Sequence, residues 1–287
     1  MSKVSRQPDD SWQSEEVPTD VPMGNGGINY RSGVLFCAQG SLTEPGGIVF
    51  MESEPPYSTS TFIDSYHGRL FNSVNDLVLH TDGSIWFTDP IYGYEQGFRH
   101  KPQLPSQVYR FDPTSGDVRV VADGFGRPNG LCFSPDETTM YITDTDWIHG
   151  DGTGSDDARV STMSVIHAAI EVSLRVLTCS SYAFDVLERH GSHFLANRRV
   201  FAMADCGIPD GIKCDTEGNV YSGCGDGVNV WSAGAKLIGK VMLPGGSANF
   251  CFTKKGELAV LGETRFWVVK INKSRQGALL ANLGIDV

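Results

Sequence analysis

The 287-residue chain has no run approaching the roughly 18 uninterrupted apolar residues of a membrane-spanning helix. Positive charge is in short supply: 23 Lys and Arg face 34 Asp and Glu, for a net charge of −11. That balance argues against nucleic acid or an anionic membrane as partner. The seven Cys contain no Cys-x-x-Cys pair and are odd in number, which fits neither a disulfide framework nor a zinc site. Gly-x-Ser-x-Gly and His-Glu-x-x-His are both missing, and the seven His fall in no triad-like spacing. The opening residues have no apolar core of the secretory type, so a cytoplasmic location is expected.

Turn chemistry, by contrast, is abundant. The chain holds 33 Gly and 14 Pro without a collagen period, which points to many short strands joined by tight turns. Four segments share one grammar. They begin at Asn75, Asn129, Asp210 and Asn249, and a fainter fifth begins at Asn25. Each opens on Asn or Asp, continues as a short apolar strand, and turns at an Asp/Gly-type pair into a second β-branched and aromatic strand. Stretches such as Gln107–Asp112 and Val118–Ala122 supply two more strands, giving four antiparallel strands per unit. The copies start 50, 54, 81 and 39 residues apart, which brackets the spacing of propeller blades. An all-β propeller is therefore expected, as one domain over residues 1–287. Cys132 and Cys251, set in apolar strand-like runs, read as small buried hydrophobes.

The long 81-residue interval contains Ser164–Ser181, rich in Val, Ile and Thr and without clean helix stops. It is expected to be an insertion that packs outside the propeller or protrudes. The acidic stretch Asp144, Asp146, Asp151, Asp156 and Asp157 does not match a calcium-loop spacing and reads as a solvated loop.

In a propeller the first strand of each blade lines the central channel, so a residue repeated at its start forms a ring at one channel mouth. Here that ring would hold Asn25, Asn75, Asn129, Asp210 and Asn249. Amide oxygens converging with a carboxylate are hard donors of the kind that bind Ca²⁺. Such side chains also open strands by bonding local backbone, an alternative that any single blade leaves open. A bound divalent ion beside a carboxylate suits hydrolysis of an ester or lactone.

Arg127-Pro-Asn129-Gly-Leu-Cys-Phe-Ser-Pro-Asp136, the Asn75-Asp76 strand and Ile208-Pro-Asp210-Gly-Ile-Lys-Cys-Asp-Thr-Glu-Gly-Asn219 resemble the senescence-marker-protein/gluconolactonase (regucalcin-like) family. Trp86–Gln96 and Tyr221–Trp231 resemble its fungal lactonohydrolase branch in particular. The resemblance runs from about Asn25 to Lys270. It implies a six-bladed β-propeller with one divalent cation in the channel, usually Ca²⁺, with Zn²⁺, Mg²⁺ or Mn²⁺ as other possibilities. It further implies a small sugar-type or aldonate lactone as substrate. By this resemblance Asn129 and Asp210 are metal ligands, Asp210 is also the general base, and Asn75 holds substrate or a metal-bound water. Asn249 and Asn25 join the substrate side on repeat register only.

Two departures accompany the resemblance. The family's first-blade Glu has no counterpart here, so the chain is expected to begin after that strand, with five full blades and residues 1–24 as part of another. Ser164–Ser181 interrupts the family's run from Ser-Thr into Tyr-Ala-Phe-Asp. A catalytically impaired propeller that serves as a binding platform therefore stands as the alternative to a lactonase. A third reading, a propeller enzyme of the strictosidine-synthase-like kind, would need no channel metal. Loops Tyr92–Arg99 and Trp147–Gly150 are the expected source of substrate specificity. Oligomeric state is left open.

Overall fold

The computed structural model describes residues 1–146, 149, 153, 180–262 and 264–285. The chain opens with a hairpin, β1 (Ser2–Arg6) and β2 (Trp12–Glu16). Blade A follows as β3 (Gly24–Tyr30), β4 (Gly33–Ala38), β5 (Gly47–Glu52) and β6 (Thr59–Ile63), and then a two-residue pair, β7 (Ser65–Tyr66) and β8 (Arg69–Leu70). Blade B is β9 (Leu77–Leu79), β10 (Ile85–Asp89), β11 (Gln107–Phe111) and β12 (Val118–Ala122), with helix α1 (Tyr92–Glu95) between its second and third strands. Blade C is β13 (Pro128–Phe133), β14 (Thr139–Asp144), β15 (Ser180–Arg189) and β16 (Ser192–Met203). Blade D is β17 (Ile212–Cys214), β18 (Val220–Cys224), β19 (Gly227–Trp231) and β20 (Leu237–Met242). Blade E has three strands among the described residues, β21 (Asn249–Phe252), β22 (Glu257–Leu261) and β23 (Phe266–Lys270), and helix α2 (Ala278–Asn282) follows. Every pairing is antiparallel between strands consecutive in the chain, which gives the five-blade propeller arrangement expected from the repeat.

Period-2 alternation explains how the blades stack. Successive side chains leave a strand on opposite faces, so one strand feeds two interfaces. In β9, Leu77 and Leu79 join Leu35, Ile48 and Phe87 in the core between blades A and B, while Val78 joins Trp86, Leu131 and Phe133 between B and C. Cys132 and Ile212 meet between C and D, and Tyr221, Val228, Phe250 and Leu258 meet between D and E. Burial at about 25 cal/mol per Å² makes these seams the main source of stability.

The terminal segments tie the assembly together. In the hairpin, Lys3 lies over the Tyr57 ring of blade A at 5.9 Å, Arg6 pairs with Glu257 of blade E, and Trp12 packs edge-on against Phe266 of blade E. Residues 1–16 thus contact both the first and the last blade. At the other terminus, α2 contributes Leu279 to the A–B core and Leu280 to the D–E core, and Leu283, just past the helix, joins the A–B core. The helix therefore lies across the channel. It caps a cavity of about 180 Å³ lined by Leu131, Cys132, Lys213, Cys251 and Phe252.

Several expectations are corrected here. Ser180 and Ser181 open β15, paired with Asp144 and Thr143, because they satisfy the ladder of blade C. The rest of the expected insertion, 164–179, lies outside the described residues. Asp144 and Asp146 are buried rather than solvated, since both are engaged by the backbone or side chain of Arg127; Asp151, Asp156 and Asp157 lie outside the described residues. Cys251 is exposed and lines the cavity, because alternation puts it on the face of β21 opposite Phe250 and Phe252 and so outside the D–E core, whereas Cys37, Cys132, Cys214 and Cys224 are buried.

Candidate functional site

Strand starts from neighbouring blades meet backbone to backbone at one end of the channel. The Gly26 amide donates to the Asn75 carbonyl at 2.9 Å, and the Gly211 amide donates to the Ala248 carbonyl at 2.9 Å. The Thr88 hydroxyl, on β10, donates to the Asn129 carbonyl at 2.7 Å, and the Thr143 hydroxyl, on β14, donates to the Asp210 carbonyl at 2.7 Å. A Cβ on Gly130 would lie 2.6 Å from the Asp210 carbonyl oxygen, so only glycine lets these two strands approach so closely. Blade by blade, Asn75, Asn129 and Asp210 thus open adjoining first strands; in blade E that place falls to Ala248, whose carbonyl receives the Gly211 amide as that of Asn75 receives Gly26, and Asn249 stands one residue deeper, in the register of Asp76.

The side chains differ in surroundings. Asn75 and Asn129 are buried, Asp210 and Asn249 are half-buried, and Asn25 is exposed. The Asn249 oxygen accepts from the next amide, that of Phe250, at 2.9 Å, which is the local strand-opening bond. Asn129 Nδ2 donates to the Tyr92 hydroxyl at 3.2 Å, and that hydroxyl also bonds Thr145. Burial, reinforced by the charge of Asp210, pushes the Tyr92 phenol well above its usual range. Tyr92 therefore meets the ring as a neutral hydroxyl. The sequence marked its loop, Tyr92–Arg99, as a source of specificity but not its contact with Asn129, which arises because α1 carries it there from blade B.

Beside this mouth, Arg127 gathers three partners. Its guanidinium bonds Glu95 of α1, Asp146 Oδ1 at 2.8 Å and His149 Nδ1 at 2.7 Å. Burial works against the charge, yet the Glu95 and Asp146 carboxylates hold the Arg127 pKa above its usual value. One residue deeper than Asn75, the buried Asp76 accepts from Lys213 Nζ at 3.2 Å, joining blades B and D across the channel. Asp76 is thereby neutralised, which leaves Asp210 as the carboxylate among the strand-start residues.

A different cluster lies at the opposite end of the blades, where the β9–β10 turn meets the β15–β16 hairpin. His80, Asp82 and His193 bring one ligand atom each within 4.8 Å of one another. Separation along the chain hid this grouping from sequence spacing.

The donors at the strand-start end suit a hard cation. Asn129 has its Nδ2 committed to Tyr92, so its Oδ1 is the atom left to face an ion, and the Asp210 carboxylate and the Asn75 amide add oxygen.

Comparison with known proteins bears on the family and the fold. The model of the SMP-30/gluconolactonase/LRE-like region matches residues 3–147. Lactonohydrolase oryL of Aspergillus oryzae is 32% identical over 252 residues, covering 85% of this chain and 51% of its own length. The chain spans about half the length of the curated relatives it matches. The structure of a gluconolactonase from Xanthomonas campestris superposes with a TM-score of 0.71 at 28% identity, covering 92% of this chain and 76% of that one. A calcium-binding regucalcin from Agrobacterium tumefaciens shares the fold, with a TM-score of 0.59 at 18% identity over 90% of this chain and 74% of its own. These structural neighbours are six-bladed propellers. With its repeated strand starts, its five blades and this family match, the chain belongs to the SMP-30/gluconolactonase/LRE-like family.

Proposed function

We propose that this chain hydrolyses a sugar-type or aldonate lactone at the channel mouth, with Asp210 as general base and a divalent cation, Ca²⁺ first, held by Asn129, Asp210 and Asn75. The observation that carries the reading is the junction of blades C and D, where the Asn129 and Asp210 strand starts abut through Gly130 and Thr143. A cation bound there supplies Lewis-acid polarisation of the lactone carbonyl. The Asp210 carboxylate takes the proton of the attacking water, a task that amide side chains cannot perform. Its backbone is fixed on both sides, by Thr143 at the carbonyl and by the Gly223 carbonyl at the amide, 2.8 Å away. Tyr92 orients Asn129, and Asn75 and Asn249 offer amides to a polyhydroxy substrate. The names of the relatives, a lactonohydrolase and a gluconolactonase, support a lactone as the substrate class.

A propeller that binds a small molecule or a protein without catalysis is the alternative reading. Hydrolysis of gluconolactone followed by pH-stat, with Ca²⁺ titration by calorimetry, separates the two. Asp210→Asn should lower the rate by about 10²–10⁴, the usual contribution of a positioned base, while circular dichroism stays unchanged. A folded Asp210→Asn chain with the wild-type rate overturns the assignment. An inactive wild type that still binds the lactone supports the platform.

A further inference from the structure

We propose that His80, Asp82 and His193 form a second metal site, of zinc class, which clamps blade B to blade C at the end of the propeller opposite Asn75 and Asp210. The strand direction sets the separation: Asn75 precedes β9 and His80 follows it, a span of about five residues at roughly 3.3 Å each. The ligand chemistry is also different, since two imidazoles and a carboxylate favour Zn²⁺, Ni²⁺ or Cu²⁺ over a hard cation.

Hydrogen bonding fixes which atoms are free to ligate. His80 Nε2 lies 3.3 Å from Glu137 Oε2, and Glu137 is itself anchored by the Thr81 amide at 3.0 Å. Nε2 thus has a carboxylate to donate to, which leaves Nδ1 as the nitrogen that can turn a lone pair to a metal. The Asp82 amide lies 3.1 Å from that same Nδ1. A histidine whose outer nitrogen donates to a carboxylate is the arrangement that presents the inner nitrogen to a metal. His80 Nδ1 sits 3.0 Å from Asp82 Oδ1 and His193 Nδ1 sits 3.2 Å from Asp82 Oδ2, so both imidazoles turn a nitrogen to the same carboxylate. A cation that replaces a proton in those contacts is held by all three groups. Bonds of about 2.0–2.1 Å in a tetrahedron place donors about 3.3 Å apart, close to the spacings already present.

The surroundings hold the carboxylate still. Ser84 donates to Asp82 Oδ1 through its amide at 2.8 Å and also through its hydroxyl, and Arg110 donates to Oδ2 at 3.0 Å. Arg110 neutralises part of the carboxylate charge, so the site depends on imidazole nitrogen and selects against Ca²⁺ and Mg²⁺. His80 is buried and packs edge-on against Phe133 of blade C, while His193 is half-buried on the outer hairpin of that blade.

The test uses the full chain, stripped with chelator, resupplied with excess Ca²⁺ so that the channel mouth does not compete, and titrated with Zn²⁺ by calorimetry and with Co²⁺ by visible absorption. Wild type should bind one Zn²⁺ per chain, show the d–d bands of tetrahedral Co²⁺, and melt at higher temperature with Zn²⁺ present. His193→Ala and the milder His193→Gln, each checked for folding by circular dichroism, should abolish this binding. Glu137→Gln, which changes only the positioning partner of His80, should weaken it by about 10–100-fold. Asp210→Asn should leave it intact even where lactone hydrolysis is lost. Zinc binding that survives both His193 variants, or a folded wild type that binds no stoichiometric zinc, overturns the proposal.

Discussion

Gly130→Ala probes the seam on which the proposed site depends. An Ala Cβ at this position would lie 2.6 Å from the Asp210 carbonyl oxygen, 2.7 Å from the Ile212 nitrogen and 2.9 Å from the Gly211 Cα. All three are backbone atoms of the neighbouring blade, so no side chain can swing aside. Restoring ordinary contact requires the two strands to part by about 0.8 Å, well beyond the range over which packed atoms keep their attraction. The Thr143 hydroxyl is caught in the same shift, because it accepts from the Gly130 amide at 2.8 Å and donates to the Asp210 carbonyl at 2.7 Å. Overpacking of this kind costs about 1–3 kcal/mol. For a chain of this size, each kcal/mol lowers Tm by about 2–4 °C. The catalytic consequence is larger, since displacing a reacting group by about 1 Å can cost about 10²-fold in rate. Gly239→Ala serves as the control: a Cβ there meets nothing within 4 Å, and loss of unfolded-state freedom should leave it neutral or stabilised by about 0.4–1 kcal/mol. Thermal unfolding and gluconolactone hydrolysis on the two variants decide the matter. If Gly130→Ala matches wild type in both Tm and rate, then the blades do not meet as described and the reasoning fails.

Two further outcomes are expected. Lys213→Met should destabilise the fold by about 3–5 kcal/mol, because it leaves the buried Asp76 carboxylate unpaired, whereas the double variant Lys213→Met/Asp76→Asn should recover most of the loss in urea unfolding. Burial opposes ionisation of Glu257, but the bonds from Arg6 and Thr253 hold its carboxyl below the ordinary Glu range. A depressed folded-state pKa gives stability that is complete above the unfolded value and is lost as pH falls through the folded one. Residues 1–16 should therefore lose exchange protection, relative to the intrinsic amide rate, as pH falls below the ordinary Glu range, and Arg6→Ala should show that loss already at neutral pH.

The blade architecture was legible in the chain because its pairing is local. Each strand bonds the next in sequence, so alternation, turn residues and the Asn or Asp at each first strand together mark where a blade begins. The stretches Gln107–Asp112 and Val118–Ala122 became β11 and β12 for that reason. Asn75, Asn129 and Asp210 open their first strands at matching positions for the same reason, whereas the repeat register placed Asn249 one residue off, because Ala248 takes that position in blade E.

What the repeat could not carry are contacts made between blades. Tyr92 reaches Asn129 because α1 leaves blade B toward blade C. Asp144 and Asp146 looked like a solvated acidic loop until the folded chain turned the Arg127 backbone and guanidinium onto them. Helix α2, only five residues long, has too few turns for a helical period to show, and it forms because the channel offers its leucines an apolar seat. His80 and His193 lie more than a hundred residues apart in the chain. The sequence by itself determined the blade strands, their order and the polar residue that opens blades B, C and D, since these follow from neighbours along the chain. Only the tertiary structure decided which side chains share a seam, because that depends on blades packing face to face, and alternation leaves the identity of the facing partner open.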